Sequence, residues 1–516
     1  MNCDALVLGS GPNGLAAGVE LASAGWRVLV LEAAERAGGA VASEELTLPG
    51  FRHDTFSSVY PAGAASPVFA AMALERHGLR WVHPQACLAH ALGEGRAVAL
   101  YRDLDRTAAG LESMQPGDGE AWRRFAAPLL WHFEQLSATM LAGFPPLGAA
   151  AGLLTRAGPG PTLGLGRLLF QSAQSFGERL FEGDGARAWL YGSALHSDVP
   201  PSRRGSAIAA AYLSLLGHGA GWPSPAGGAG ALADALVGRL RELGGEVRTG
   251  ARVTRVLAAG GRLSGVQLSG GERVAAAVAV ADLTPRALAR LGEGLLGARY
   301  ERALLRYRYG PPTLKLDWAL SGPIPWEAPE AREAGTVHLG GGAGEVLASS
   351  AAWELPRRPF MLLGQQSLAD PSRAPAGAHT AWAYTRGWRI PRGAAECAPH
   401  VQRMEEQVER FAPGFRELIL ARHVLAPEDL ERRDENLLGG DVGNGSYGIR
   451  QLLFRPVISP APYRTPLRGL YLGSAAAFPG AGVHGVPGAA AARLALADHG
   501  GLAPVAGARP SSGAEL

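Results

Sequence analysis

At 516 residues the chain is too long for one ordinary core, and about 150 residues per domain sets an expectation of two to four domains. Hydrophobic residues at 47% against 18% charged exclude a wholly disordered chain; 72 glycines without a G-x-y period exclude collagen and point to tight backbone turns. A net charge of +3 argues against a dedicated nucleic-acid binder, and among the 49 basic residues Lys315 is the only lysine.

Cys3, Cys87 and Cys397 stand far apart and form no C-x-x-C pair. That speaks against a redox dithiol, a zinc knuckle or a disulfide scaffold, so no metal site is expected and free thiols in a reducing compartment are. No signal-peptide pattern opens the chain, and no run of about 18 apolar residues suggests a spanning helix. The expectation is a soluble, cytoplasmic protein.

In chain order, Asp4 to Leu8 read as a buried parallel strand. Gly9-Ser10-Gly11-Pro12-Asn13-Gly14 then fits G-x-G-x-x-G, and Ala17, Leu21 and Ala24 carry a helical period up to a C-cap at Gly25. Arg27 to Leu31 is a second strand, and Glu32 stands at its end, 18 residues after Gly14. A dinucleotide-binding βαβ unit requires this spacing. Gly9 makes the turn, Gly11 admits a diphosphate, and Gly14 lets helix pack on strand. Pro12 and Asn13 open the helix whose positive end faces the diphosphate, while Glu32, with Ala33 beside it, takes the ribose hydroxyls.

Arg36-Ala37-Gly38-Gly39, followed by Ser43, resembles the R-x-G-G…S/T phrase of FAD proteins of the amine oxidase and phytoene desaturase superfamily. Arg36 supplies charge-assisted donors, and Gly38 and Gly39 let backbone N–H groups reach a cofactor. Pro49 to Asp54 continues the likeness. In the superfamily the next turn, Thr55 to Ser58 here, passes the flavin, which implies contacts from Ser57 and Ser58. His53 and Asp54 are active-site candidates, with a fold-holding turn aspartate as the alternative.

From 71 to about 220 the periods are helical and broken by proline. Pro128 to Leu141 is predicted as one helix with the proline in its first turn. Residues 139–170 are apolar, carry only Arg156 and Arg167, and contain Pro145, Pro146, Pro159 and Pro161, which forbid one continuous helix. Two readings stay open: a buried lid, or a channel mouth that touches a membrane.

After Gly227-Gly228, the pattern predicts a helix over 231–243, strands from Glu246 and Ala251, and a hairpin at Gly270-Gly271 leading to a strand over 275–281. In the superfamily a valine placed like Val253 lies against the adenine; an ordinary strand valine is the alternative. Thr313 to Trp318 alternates as a strand after Pro311-Pro312 and holds Lys315. Gly469 to Gly473 is a strand, Phe478 to Gly485 a glycine-rich loop containing Gly482 and His484, and Ala489 to Leu496 a helix.

Together these phrases resemble the phytoene-desaturase-like branch of FAD oxidoreductases in the amine oxidase superfamily, and within it the group related to pyridine nucleotide-disulfide oxidoreductase domain-containing protein 2. The resemblance implies an α/β fold: a discontinuous Rossmann-like, glutathione-reductase-type FAD domain over 1–70, 221–292 and 462–503. An α+β substrate domain would occupy 71–220 and 293–461, and 504–516 a flexible tail. It further implies that Gly473, Gly482, Gly485 and Val486 line the flavin. Ser474 replaces an acid common in relatives, which puts one cofactor hydrogen bond in doubt. Lys315 is implied to approach flavin N5, with chance survival on a surface strand as the alternative. His484 is the candidate general base, or else a histidine that merely holds its loop. No cysteine lies in that loop, so FAD is expected to be non-covalent, and no nicotinamide site is indicated.

The leading expectation is an FAD-dependent oxidoreductase dehydrogenating an apolar small molecule by hydride transfer to N5. The alternatives are a carotenoid or isoprenoid desaturase at a membrane surface, an amine oxidase, and a flavin-binding interaction protein with little turnover.

Overall fold

The computed structural model describes residues 3–500; the expected tail 504–516 and the last residues of segment 462–503 lie outside them. Five short strands form a parallel sheet in the order Leu470–Leu472, Val278–Ala281, Ala5–Leu8, Val28–Leu31, Glu246–Arg248. The three central strands are continuous runs of Val, Leu and Ala, buried at every position, because both sheet faces are covered. Ala5 and Val7 face a cluster built with helices Pro12–Ser23, Gly230–Glu242 and Val486–His499. Leu6 and Leu8 point the other way, into a cluster with the antiparallel ribbon Val253–Ala259, Arg262–Leu268, Arg273–Ala275.

A second sheet has seven strands in the order Ile419–Leu425, Thr313–Leu320, His379–Arg386, Met361–Gly364, Ala334–Leu339, Ala86–Gly93, Arg96–Leu100. Its pairs are antiparallel except where Ala334–Leu339 meets Ala86–Gly93. One face packs on helix Ala398–Phe411 through Leu314, Leu316 and Trp318. Part of the other packs on helices Asp184–Ala194 and Ser206–Gly219 through Leu88, Val98 and Leu362. The architecture is the expected one, a Rossmann-like α/β unit with an α+β unit.

Three readings differ. The stretch from 71, read as helical, contains the strands Ala86–Gly93 and Arg96–Leu100. Pro128 lies near the end of a helix Asp118–Leu130 rather than at the start of one, and a separate helix Phe133–Met140 follows. A proline there removes one late hydrogen bond, and the helix stops two residues on. The strand predicted over 275–281 is two strands in different sheets, Arg273–Ala275 and Val278–Ala281, because the chain passes from ribbon to parallel sheet at Ala276-Ala277. In the apolar segment, helices Leu147–Ala157 and Pro159–Leu168 meet at Gly158, where φ is +79°. Among the described residues no helix is long and apolar enough to cross a membrane.

Candidate functional site

The helices Pro12–Ser23 and Val486–His499 begin side by side. A Cβ on Gly488 would lie 1.8 Å from the Asn13 carbonyl oxygen, so only glycine permits this crossing. Their N-caps, Gly11 and Gly485, offer no side-chain cap, and neither first turn holds an acid. The Gly14 N–H is taken by Asp282 and the Val486 N–H by His484, but the positive ends of the two helices still converge, which suits an anion. Gly9, at φ +97°, turns the chain against Asp282, and a Cβ on Gly14 would sit 2.2 Å from the Gly9 oxygen. Gly38 and Gly39 also hold positive φ, at +124° and +53°, and Gly39 packs on Gly11.

Glu32 is fixed from two sides. Its Oε2 accepts from the Ser10 N–H at 2.8 Å and Oγ at 2.6 Å, and its Oε1 accepts from the Ala34 N–H at 2.8 Å. Ala33 and Arg36 are exposed at the rim. Thr55 Oγ1 and Ser58 Oγ are buried without a partner, as hydroxyls are that await a ligand, whereas Ser57 donates to Ala40 O at 2.9 Å. A glycine cradle, paired helix N-termini and orphaned hydroxyls fit a flavin dinucleotide.

Two acids here escaped sequence reasoning. Asp282, one residue past the strand Val278–Ala281, accepts from the Gly14 N–H at 2.8 Å and crowds Gly11. Burial pushes its carboxyl up to about 7. Asp434, near Gly39, is pushed up to about 6, again by burial. Protonated, both tolerate a neighbouring diphosphate; ionised, both repel it.

Lys315 is 2% exposed, which excludes a surface strand. Alternation puts Leu314 and Leu316 in the core and Lys315 and Asp317 together on the opposite face. Lys315 Nζ donates to Asp317 Oδ1 at 2.5 Å and Oδ2 at 2.6 Å. Burial pushes Asp317 up to about 6 against the pull of Lys315, and its Oδ1 lies 3.7 Å from His53 Nδ1. Burial first, then Lys315, holds His53 near about 3, so its ring is neutral. The lysine is thus a charge fixed by a carboxylate. Asp317 was legible only as its i+2 neighbour.

Asp54 has the fold-holding geometry. It pairs with Arg373 at 2.8 and 3.0 Å and accepts from Ser43 Oγ and the Ala229 N–H, both at 2.7 Å. Both members of the ion pair are buried, and Arg373 also reaches Asp370 at 3.1 Å.

The loop before the last helix corrects the expectation for His484. Its Nδ1 accepts the Val486 N–H at 3.2 Å, and its carbonyl accepts from Ser66 Oγ at 2.6 Å. The neutral ring therefore carries its proton on Nε2 and has no free lone pair, and burial holds its pKa near about 4. His484 holds the loop and is not poised as a general base. Gly482, at φ +144°, is exposed beside it. Ser474 is buried and accepts the Ala476 N–H at 3.2 Å, so its hydroxyl serves its own turn, while Gly473 packs on Val280. The last helix starts at Val486, three residues before the predicted start. Val253 packs against the apolar cluster behind the parallel sheet, as an ordinary strand valine does.

A parallel-sheet nucleotide cradle beside a mixed sheet that buries one lysine is the architecture of a flavin-dependent oxidoreductase. The chain belongs to the family described as flavin containing amine oxidoreductase, whose pattern matches residues 13–492. It is 28% identical to the rat pyridine nucleotide-disulfide oxidoreductase domain-containing protein 2, over 96% of this chain and 93% of that protein. It is 25% identical to the phytoene desaturase (lycopene-forming) of Pseudescherichia vulneris, over 95% of this chain and 98% of that one. An oxidoreductase from Methanosarcina mazei shares the fold, with TM-score 0.65 and 16% identity over 95% of this chain and 99% of that one.

Proposed function

We propose that this oxidoreductase binds FAD non-covalently and dehydrogenates an apolar small molecule. The observation that carries the reading is the sheet face beside Lys315. There Trp382 and Tyr384 lie parallel, 5.9 Å apart at 10°, and remain partly exposed while Ala381 and Ala383 on the strand's other side are buried. Lys315 and Tyr384 are direct cross-strand partners, so a fixed ammonium borders an aromatic wall. The names of the relatives, a phytoene desaturase among them, agree with an apolar substrate. FAD, when bound, supplies hydride acceptance at N5. The chain's own residues hold it: the two helix N-termini take the diphosphate, Glu32 the ribose, and Ser58 the flavin end. Lys315 stabilises charge near N5, and Asp317 fixes the ammonium in place.

Anaerobic bleaching of the flavin spectrum by an alkene or isoprenoid is the test; an amine that bleaches it instead would establish the amine oxidase alternative. A binding protein with little turnover would hold FAD without bleaching by any candidate. Lys315→Met alone leaves Asp317 buried and unpaired, a cost of about 3–5 kcal/mol. The double variant Lys315→Met with Asp317→Asn removes that imbalance. It is expected to keep its FAD and to slow flavin reduction or reoxidation about a hundredfold; unchanged rates in both half-reactions would refute the assignment.

The second reading is membrane contact. Trp131 is 86% exposed, Leu147 72%, and Leu163 and Phe170 59% each, all in or beside the apolar segment.

A further inference from the structure

The strand His379–Arg386 is third of seven in its sheet, so its exposure does not come from a sheet edge. Trp382, Tyr384 and Arg386, alternate residues on one side, are all partly exposed, which means that this side faces an opening. Two residues on, Trp388 is 52% exposed and stacks on Trp353, 60% exposed, at 6.4 Å and 21°. An exposed aromatic pair thus lies just past the strand end that carries Arg386.

Arg386 is short of acceptors. Its Nη1 donates to the His196 carbonyl at 3.3 Å, its Nε is buried with no partner, and its guanidinium carbon lies 5.3 Å from the Tyr384 ring centre. Among the described residues no carboxylate forms an ion pair with it. The His196 side chain brings it no negative charge: His196 Nε2 meets His338 Nε2 at 2.8 Å, and burial keeps both rings neutral. Thr313, its cross-strand partner, has a buried Oγ1 without a partner. A half-buried guanidinium with spare donors and no counter-ion is completed by a planar monoanion, which it takes through two parallel bonds.

We propose that Trp382, Tyr384 and Arg386 form the substrate-recognition track of this enzyme and that its substrate is an amphipathic carboxylate, its unsaturated or aromatic body on the rings and its carboxylate on Arg386. This rests on the dehydrogenase reading and narrows its substrate class.

Binding is read apart from turnover. Tryptophan fluorescence of the flavin-loaded protein is titrated with 4-phenylbutyrate and with the neutral 4-phenylbutanol. The acid is expected to bind about tenfold tighter than the alcohol. Arg386→Met removes that preference by weakening the acid alone, with flavin content unchanged, and Arg386→Lys restores part of it. If Arg386→Met fails to fold, Arg386→Lys decides, with at least a threefold loss for the acid expected, because an ammonium cannot form the paired bonds. Equal affinity for acid and alcohol, no binding of either, or an acid affinity indifferent to these substitutions would overturn the proposal. Acid preference without bleaching by any alkene would leave the track standing and overturn the dehydrogenase reading instead.

Discussion

Asp282 sets a conflict inside the proposed flavin cradle. Its carboxyl is held near about 7 by burial, far above an unfolded aspartate at about 3.9. Between those values the folded chain holds a proton that the unfolded chain has released. Stability from this group is therefore present at low pH and is lost as pH rises toward 7. Asp282→Asn removes the titration, so its melting temperature relative to wild type is expected to climb from pH 5 to pH 8 and then level. A flat difference across that range would show that Asp282 does not titrate there. The same ionisation faces a bound diphosphate, so flavin affinity is expected to fall over this interval in the wild type and to fall less in the variant, as read by fluorescence titration of the apoprotein. Glu32 stood out in the sequence because its spacing from the glycines is the one a ribose-binding acid would have. Asp282 and Arg373 did not, because Gly14 and Asp54 lie 268 and 319 residues away from them, and Asp434 meets Gly39 only across the fold; no local pattern records these contacts.

At the scale of elements, the crossing of first and last helices makes the sharpest claim. Gly488→Ala places a methyl on the Asn13 carbonyl, so the helices must separate at the point where their N-termini converge. A loss of about 1–3 kcal/mol is expected, with a lower flavin-to-protein ratio. Gly152→Ala is the control: nothing lies within 4 Å of its new methyl, and helix propensity predicts a gain of about 0.5–1 kcal/mol. Equal melting shifts for the two variants would show that the crossing is not tight. The elements of this region were readable because short apolar runs alternate with glycine motifs that allow few conformations. Elsewhere local pattern misled. Around Pro128 the apolar stretch that follows drew the helix boundary too late: the helix ends at Leu130, two residues past the proline, rather than beginning there. The strand over 275–281 reads as continuous because Ala276 and Ala277 carry no turn signal, and only the two separate sheets divide it.

For the whole molecule, the open question is which surface meets the source of an apolar substrate. The helices Leu147–Ala157 and Pro159–Leu168 turn Leu147, Leu154 and Leu163 to solvent, with Trp131 and Phe170 flanking them. Over 139–170 the only charges are Arg156 and Arg167, so the surface is apolar and weakly cationic, without an acid. Burying such side chains at a lipid interface gains free energy in proportion to area, and anionic headgroups add to it. At the root of the segment a cleft of about 620 Å³ opens between Leu141, Phe144 and Pro145 on one side and Val486 and Ala490 of the last helix on the other. A surface that seats this segment in lipid would therefore place an opening next to the last helix, whose N-terminus belongs to the proposed flavin site. Co-sedimentation with phosphatidylcholine vesicles containing a third phosphatidylserine is expected to pellet the protein, and more of it at low salt. The triple variant Leu147→Asp, Leu163→Asp, Phe170→Asp should remain in the supernatant with its flavin content and melting temperature intact, because all three side chains are already exposed. A wild type that stays in solution, or a variant that still pellets, would leave these helices as a lid facing water.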